Sequence, residues 1–217
     1  MQLDLREFDE LPELHNAAGR ALFESCSAEV FPCDALALAV LDRSLGLVNG
    51  VRVLISNNGY TSGMALLRLQ IDNILRLHGV IASGDAHGCA GKVLDGKHLR
   101  NLKNKKGDKM SDGYLVRSLS STIPWIQDVY DTCSGFVHLS DRHVHYFLAR
   151  CPVGPDGKRV FSIGDEDEHV PIESKRQLIK AFVGTTRGVT KLVTAWSQVR
   201  SAHGSNAMLK SKYIAAA

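Results

Sequence analysis

Aromatic residues make up only 6% of the 217 positions, so any core must come mainly from leucine, valine, isoleucine and alanine, the usual material of helical bundles. No uninterrupted apolar stretch approaches the roughly 20 residues that a membrane span requires. The first segment, Met1 to Glu10, is acidic and lacks an apolar run, the reverse of a secretory signal. A cytoplasmic protein without membrane association is therefore expected. The five cysteines (Cys26, Cys33, Cys89, Cys133, Cys151) are odd in number and scattered, with no Cys-x-x-Cys pair for zinc or redox work. Reduced, packed thiols fit that pattern. The chain also lacks a Ser or Cys nucleophile motif, a Walker loop and a dinucleotide-binding glycine loop. Gly84 to Gly91 carries glycines but follows a helical pattern instead of a strand. No cofactor is expected.

What is present points to a folded chain. Hydrophobic residues at 44% and charged residues at 23% exclude disorder as the main state, and no internal repeat or linker-like stretch divides the sequence. One domain over residues 1–204 is expected, with a small, polar, flexible tail at 205–217. The net charge of +3 is too small to diagnose nucleic-acid binding by itself. Its distribution is uneven: Lys97, Arg100, Lys103, Lys105, Lys106 and Lys109 crowd one stretch, and Asp165, Glu166, Asp167 and Glu168 form an acidic run.

Leu11-Pro12-Glu13 puts proline in a first helical turn, and Leu14, Ala18, Ala21, Leu22 and Cys26 follow on one stripe. Asp34 is the expected N-cap of a second helix, apolar at Leu36, Val40, Leu41, Val48, Val51 and Leu54 and closed by Asn57-Asn58-Gly59. Ser62 is the expected cap of a third. There Met64, Leu67, Ile71, Ile74 and Leu75 face inward while Leu66, Leu69, Leu77 and Val80 cover much of the remainder, which makes this helix central. Ser83-Gly84 ends it. Residues 85–112 read as a long loop holding one short helix. A short helix over Tyr114 to Leu119 precedes another that starts at Thr122-Ile123-Pro124, buries Ile126, Val129, Tyr130, Cys133 and Val137, and ends near Leu139. His143 to Arg150 and Arg159 to Ile163 have strand character, and Pro155-Asp156-Gly157 between them supplies turn chemistry, predicting a hairpin over 143–163. Ser174 caps the last long helix, with Leu178, Ile179, Phe182, Val189, Leu192, Val193, Trp196 and Val199 on its buried face. The expected fold class is mainly α, a helical bundle of about five to six helices with a small β-hairpin insert.

The third helix carries Arg68, Asp72 and Arg76 at successive spacings of four, one polar stripe on an otherwise apolar element. Charge inside a bundle is costly unless paired, so the plain reading is a structural Arg68–Asp72 ion pair at the bundle edge, against a ligand-binding or catalytic role. The helix after Pro124 adds Tyr130, Ser134 and His138, also spaced by four. If the two helices are neighbours, these residues converge with Arg68 and Asp72 to offer a cation, a hydroxyl and an acid or base. Against this, His138 near a helix end is also the usual place for a histidine satisfied by the helix dipole.

The segments Met64-Ala-Leu-Leu-Arg-Leu-Gln-Ile-Asp-Asn-Ile-Leu75 and Tyr130-Asp-Thr-Cys-Ser-Gly-Phe-Val-His138 resemble HEPN-like bacterial helical proteins of unassigned function, which pair a Leu-Leu-Arg helix with a later Ser-x-x-x-His helix. The resemblance covers these two helices. It implies a helical domain that acts on or senses RNA or a nucleotide, as a homodimer, in toxin or phage-defence systems. If the protein is an enzyme, it implies a metal-independent ribonuclease with Arg68, Asp72 and His138 as catalytic residues. HEPN ribonucleases use an arginine followed about four to six residues later by histidine. Here Arg200-Ser-Ala-His203 is shorter, Arg68 to His78 is longer and Arg142-His143 is adjacent, so the resemblance supports a fold more than a nuclease. Tyr130, Ser134, Lys103, Lys105 and Lys106 are the expected binding residues, the lysines through phosphate contacts without base stacking. Two other readings stay open: a non-enzymatic protein-interaction module, and a metal site in which His143 and His145 share one face of a strand and join His138.

Overall fold

The computed structural model describes residues 3–26, 29–161, 163 and 167–203, with the backbone alone at Arg142. Among them are eight α-helices: α1 (Leu11–Ser25), α2 (Pro32–Ser56), α3 (Tyr60–Ala82), α4 (Ala86–Leu94), α5 (Asp112–Ser120), α6 (Ile126–Val137), α7 (Asp141–Ala149) and α8 (Ile172–His203). Helices α1, α2, α3 and α8 pack on one another as the main bundle. Helix α3 also touches α4, α5 and α6, and α7 leans on α6.

The helix starts show why the chain divides where it does. Pro12 sits in the first turn of α1 and Pro32 in that of α2, where no intrahelical N–H is needed. Asp34, expected as the cap, lies inside α2: its carboxylate accepts the Phe31 N–H at 2.9 Å, satisfying one orphan donor from within the first turn. Ser62 likewise is not the cap of α3. That helix begins at Tyr60, and the carboxylate of Asp167 accepts the Thr61 N–H at 2.6 Å and its hydroxyl at 3.0 Å. A residue from the distant acidic run thus caps α3. Local pattern cannot reveal such a partner.

Helix α3 is central as expected, with Met64, Leu67, Ile71, Ile74, Leu75, Leu77 and Val80 all buried. On α8 the expected face is buried at Leu178, Ile179, Phe182, Val189, Val193 and Trp196, but Val199 is 43% exposed. The neighbouring Arg200 takes the inward direction to pair with buried Asp34, which turns Val199 outward. All five cysteines are free and buried. No helix among the described residues is long and apolar enough to cross a membrane. The tail at 205–217 lies outside the described residues.

The expected hairpin over 143–163 does not form among the described residues. Residues 141–149 form α7, and the only pairing beyond it among the described residues is one isolated antiparallel bridge, Val153 to Arg159. The turn chemistry itself was legible: Gly157 has φ +77°, and the Gly154 N–H donates to the Lys158 carbonyl at 2.8 Å. The preceding segment is helical because its aromatic side chain has a tertiary partner. Tyr146 meets Tyr60, Phe136 and His169, with ring centroids 5.1 to 6.0 Å apart. The expected loop 85–112 holds its one short helix, α4, and adds a single 3-10 turn at Leu99–Asn101 and a tight turn before α5. The segment expected as the first strand of the hairpin instead adds α7 to the helices.

Candidate functional site

The stripe on α3 is real, but its pairing differs from the expectation. Arg68 does not pair with Asp72. Its Nη2 lies 3.3 Å from Asp112 Oδ2 and donates to the Tyr130 hydroxyl at 3.1 Å, while its Nε donates to Ser134 Oγ at 3.2 Å. The guanidinium also lies 4.3 Å from the Tyr130 ring centroid. Tyr130 and Ser134 are therefore brought to Arg68, as the spacing on α6 predicts. Asp72 instead joins Arg76, Nε to Oδ1 at 3.0 Å, and Arg43 of α2, Nη1 to Oδ2 at 3.4 Å. Asp112 closes the set through Arg76 Nη2 at 2.8 Å.

The result is one continuous cluster of three guanidinium groups, Arg43, Arg68 and Arg76, on two carboxylates, Asp72 and Asp112. Each acid bridges two arginines, which fixes the forks and leaves positive charge in excess. Sequence reasoning missed Arg43 and Asp112. Asp112 had a faint signal as an acid in the first turn of a helix capped by Ser111. Arg43 had none, because only the packing of α2 on α3 brings it near.

His138 stands apart. It is exposed at the C-terminal end of α6, with extended backbone (φ −108°, ψ 145°), and no hydrogen bond or ion pair among the described residues joins it to Arg68 or Asp72. Cys133, on the same helix, is buried, and burial pushes its thiol up to about 12 despite the nearby Arg68. His143 and His145 lie two apart on α7, about 200° around a helix, so the shared strand face that suggested a metal site does not exist. Among the described residues no three His, Cys, Asp or Glu side chains are grouped to hold a metal ion.

Lys103, Lys105 and Lys106 are exposed on a turn organised by Asn104. The Asn104 side chain accepts the N–H groups of Lys106 and Asp108, both at 2.9 Å, and donates to Tyr114 at 2.8 Å. The turn is thus a built feature that presents its lysines outward.

Beside the arginine cluster lies a groove of about 560 Å³ between α2, α3 and the segment 93–100. Its floor is aliphatic, from Leu36, Val40, Val80, Val93 and Leu99, and its cations are Arg43, Arg76, Lys97 and Arg100. No carboxylate lines it. The basic stretch and the α3 stripe, separate in sequence, meet here.

Arg43 is also the outer end of a buried polar chain. Its Nη1 donates to Asn73 Oδ1 at 2.6 Å, Asn73 donates to Gln70 Oε1 at 3.0 Å, and Gln70 donates to Ser44 Oγ at 2.6 Å. Ser44 meets His15 Nε2 at 2.9 Å, and His15 Nδ1 meets the Leu11 carbonyl at 2.7 Å. A carbonyl only accepts, so Nδ1 carries the proton and Nε2 accepts from Ser44. Every bond then runs the same way, from the groove to the core. His15, Ser44, Gln70 and Asn73 are all 4% exposed or less, so each polar atom needs its partner.

A second buried cluster joins α2 to α8. Asp34 Oδ2 lies 3.1 Å from Arg200 Nε, and Trp196 Nε1 donates to Asp34 Oδ1 at 2.7 Å. With Asp34 at 0% and Arg200 at 5% exposure, this pair is sealed in the fold and holds the two helices in register.

No family model, curated protein or solved structure matches the chain.

Proposed function

We propose that this protein is a helical domain that binds RNA or a nucleotide through phosphate, in line with its resemblance to HEPN-like proteins. The observation that carries the reading is the groove lined by Arg43, Arg76, Lys97 and Arg100 without a carboxylate. Cations held in place by carboxylates on one side and open on the other suit phosphate oxygens. Binding is preferred to catalysis because Arg68 is already engaged by Asp112, Tyr130 and Ser134, and His138 is exposed without a link to it.

The test is binding of labelled short RNA and labelled nucleotide as salt is raised. Affinity should fall steeply, since each neutralised phosphate releases counterions, and Lys103, Lys105 and Lys106 replaced together by alanine should flatten the RNA slope. No binding of either probe at low salt ends the reading. Purified protein should leave RNA uncut, with or without EDTA. Cleavage that drops by about 100-fold or more in His138→Ala would move the assignment to a metal-independent ribonuclease.

A second reading, a protein-interaction module or homodimer, has its own support. Leu139, Val144, Val153, Val160, Phe161 and Ile163 are all exposed around α7, Leu139 by 84% and Ile163 by 91%. Sedimentation velocity on wild type and Leu139→Ser distinguishes self-association at this surface from a monomer.

A further inference from the structure

Resting on the phosphate-binding reading, we infer that the groove between α2, α3 and residues 93–100 is a site for a single nucleotide, with phosphate on the arginine side and the base on the aliphatic floor. Its volume of about 560 Å³ falls within the range of small-molecule sites, about 300–1,000 Å³, and suits one nucleotide instead of a strand. Its lining holds one ring, the His98 imidazole, whereas proteins that track single strands stack successive bases on a series of aromatic rings.

The phosphate end is prearranged. Asp72 bridges Arg43 and Arg76, so the two guanidinium groups lie side by side, and Asp112 holds Arg76 from behind. The described contacts use Nη1 of Arg43 and Nε and Nη2 of Arg76, so Nε and Nη2 of Arg43 and Nη1 of Arg76 remain for a ligand. The buried chain through Asn73, Gln70 and Ser44 fixes Arg43 further. Lys97 and Arg100 are exposed across the groove, and among the described residues no carboxylate pairs with either. They add to the positive charge that the arginine cluster keeps in excess. A base on Leu36, Val40, Val80, Val93 and Leu99 gains non-directional apolar contact, so selectivity between bases is weak.

Titration calorimetry on the full chain tests this with adenosine and guanosine monophosphates, their nucleosides, inorganic phosphate and an unstructured RNA oligomer. Both monophosphates should bind, and the nucleosides far more weakly. Lys97→Ala with Arg100→Ala should weaken nucleotide binding about tenfold or more. Ala39→Trp, at an exposed position lining the groove, should abolish it while circular dichroism stays unchanged. Nucleotide binding that survives Ala39→Trp overturns the site, as does inorganic phosphate that competes as well as the nucleotide. RNA binding without mononucleotide binding overturns the site and leaves the phosphate-binding reading standing. Silence from every ligand at low salt removes both.

Discussion

Asp112 and Asp72 look alike in sequence, two acids near arginines, and the structure separates them by what each would strand. Asp112 holds Arg68, whose side chain is 15% exposed, and Arg76, and it accepts from the Tyr130 hydroxyl at 3.4 Å. Asp72 holds Arg76 and the half-exposed Arg43. Removing Asp112 therefore leaves the more buried cation without a carboxylate, though Tyr130 and Ser134 continue to accept from it. Asp112→Ala is expected to cost about 2 kcal/mol and Asp72→Ala about 1 kcal/mol, read as urea midpoints at unchanged slope. Equal midpoints would mean that Arg68 gains nothing from its ion pair. The composite of Arg68, Tyr130 and Ser134 was legible because i, i+4 spacing puts residues on one face whatever the tertiary fold. The expected Arg68–Asp72 pair had the same spacing and failed, because Asp112 and Arg43 compete from other helices.

At the level of elements, close approach to α3 is set by glycines as much as by leucines. A methyl added at Gly79 would meet Leu115 Cδ2 at 2.8 Å and Leu99 Cδ2 at 2.9 Å, both from fully packed neighbours. At Gly46, exposed on α2, nothing lies within 4 Å. Gly79→Val should destabilise by about 1–3 kcal/mol through overpacking, and Gly46→Ala should stabilise by about 0.5–1 kcal/mol through helix propensity. Thermal midpoints of the two variants should move in opposite directions, and a rise in Gly79→Val would show that α5 is not pressed onto α3. Helix α7 teaches the converse. Its residues alternate weakly enough to suit a strand, and contact of Tyr146 with Tyr60 and His169 decides for a helix.

The molecule as a whole should be acid-labile. Burial holds the imidazoles of His15, His78 and His87 below their usual range, so the folded chain keeps them neutral. As pH falls through about 6.5, the unfolded chain takes up protons that the folded one refuses, so stability is full above that pH and declines below it. The slope is at most about 1.4 kcal/mol per pH unit for each such histidine. For His15 the chemistry adds a reason: a second proton would give Nε2 an N–H facing Ser44, against the direction of the whole chain of bonds. Melting curves between about pH 8 and pH 5.5 should show the decline, and His15→Gln should flatten it without abolishing it, since His78 and His87 remain. A melting temperature that is level over this range would show that none of the three is held neutral.

By itself the sequence determined the helical class, the central place of α3, the polar faces of α3 and α6, the exposed lysines before α5 and the turn at Gly157. Each follows from periodicity, composition or backbone preference, which act within a few residues. Only the tertiary structure decided that α7 is a helix, that Asp167 caps α3, and that Arg43 and Arg76 share a groove with Lys97 and Arg100. Those outcomes depend on which side chains meet across helices, and a buried polar group takes whichever partner packing brings within reach.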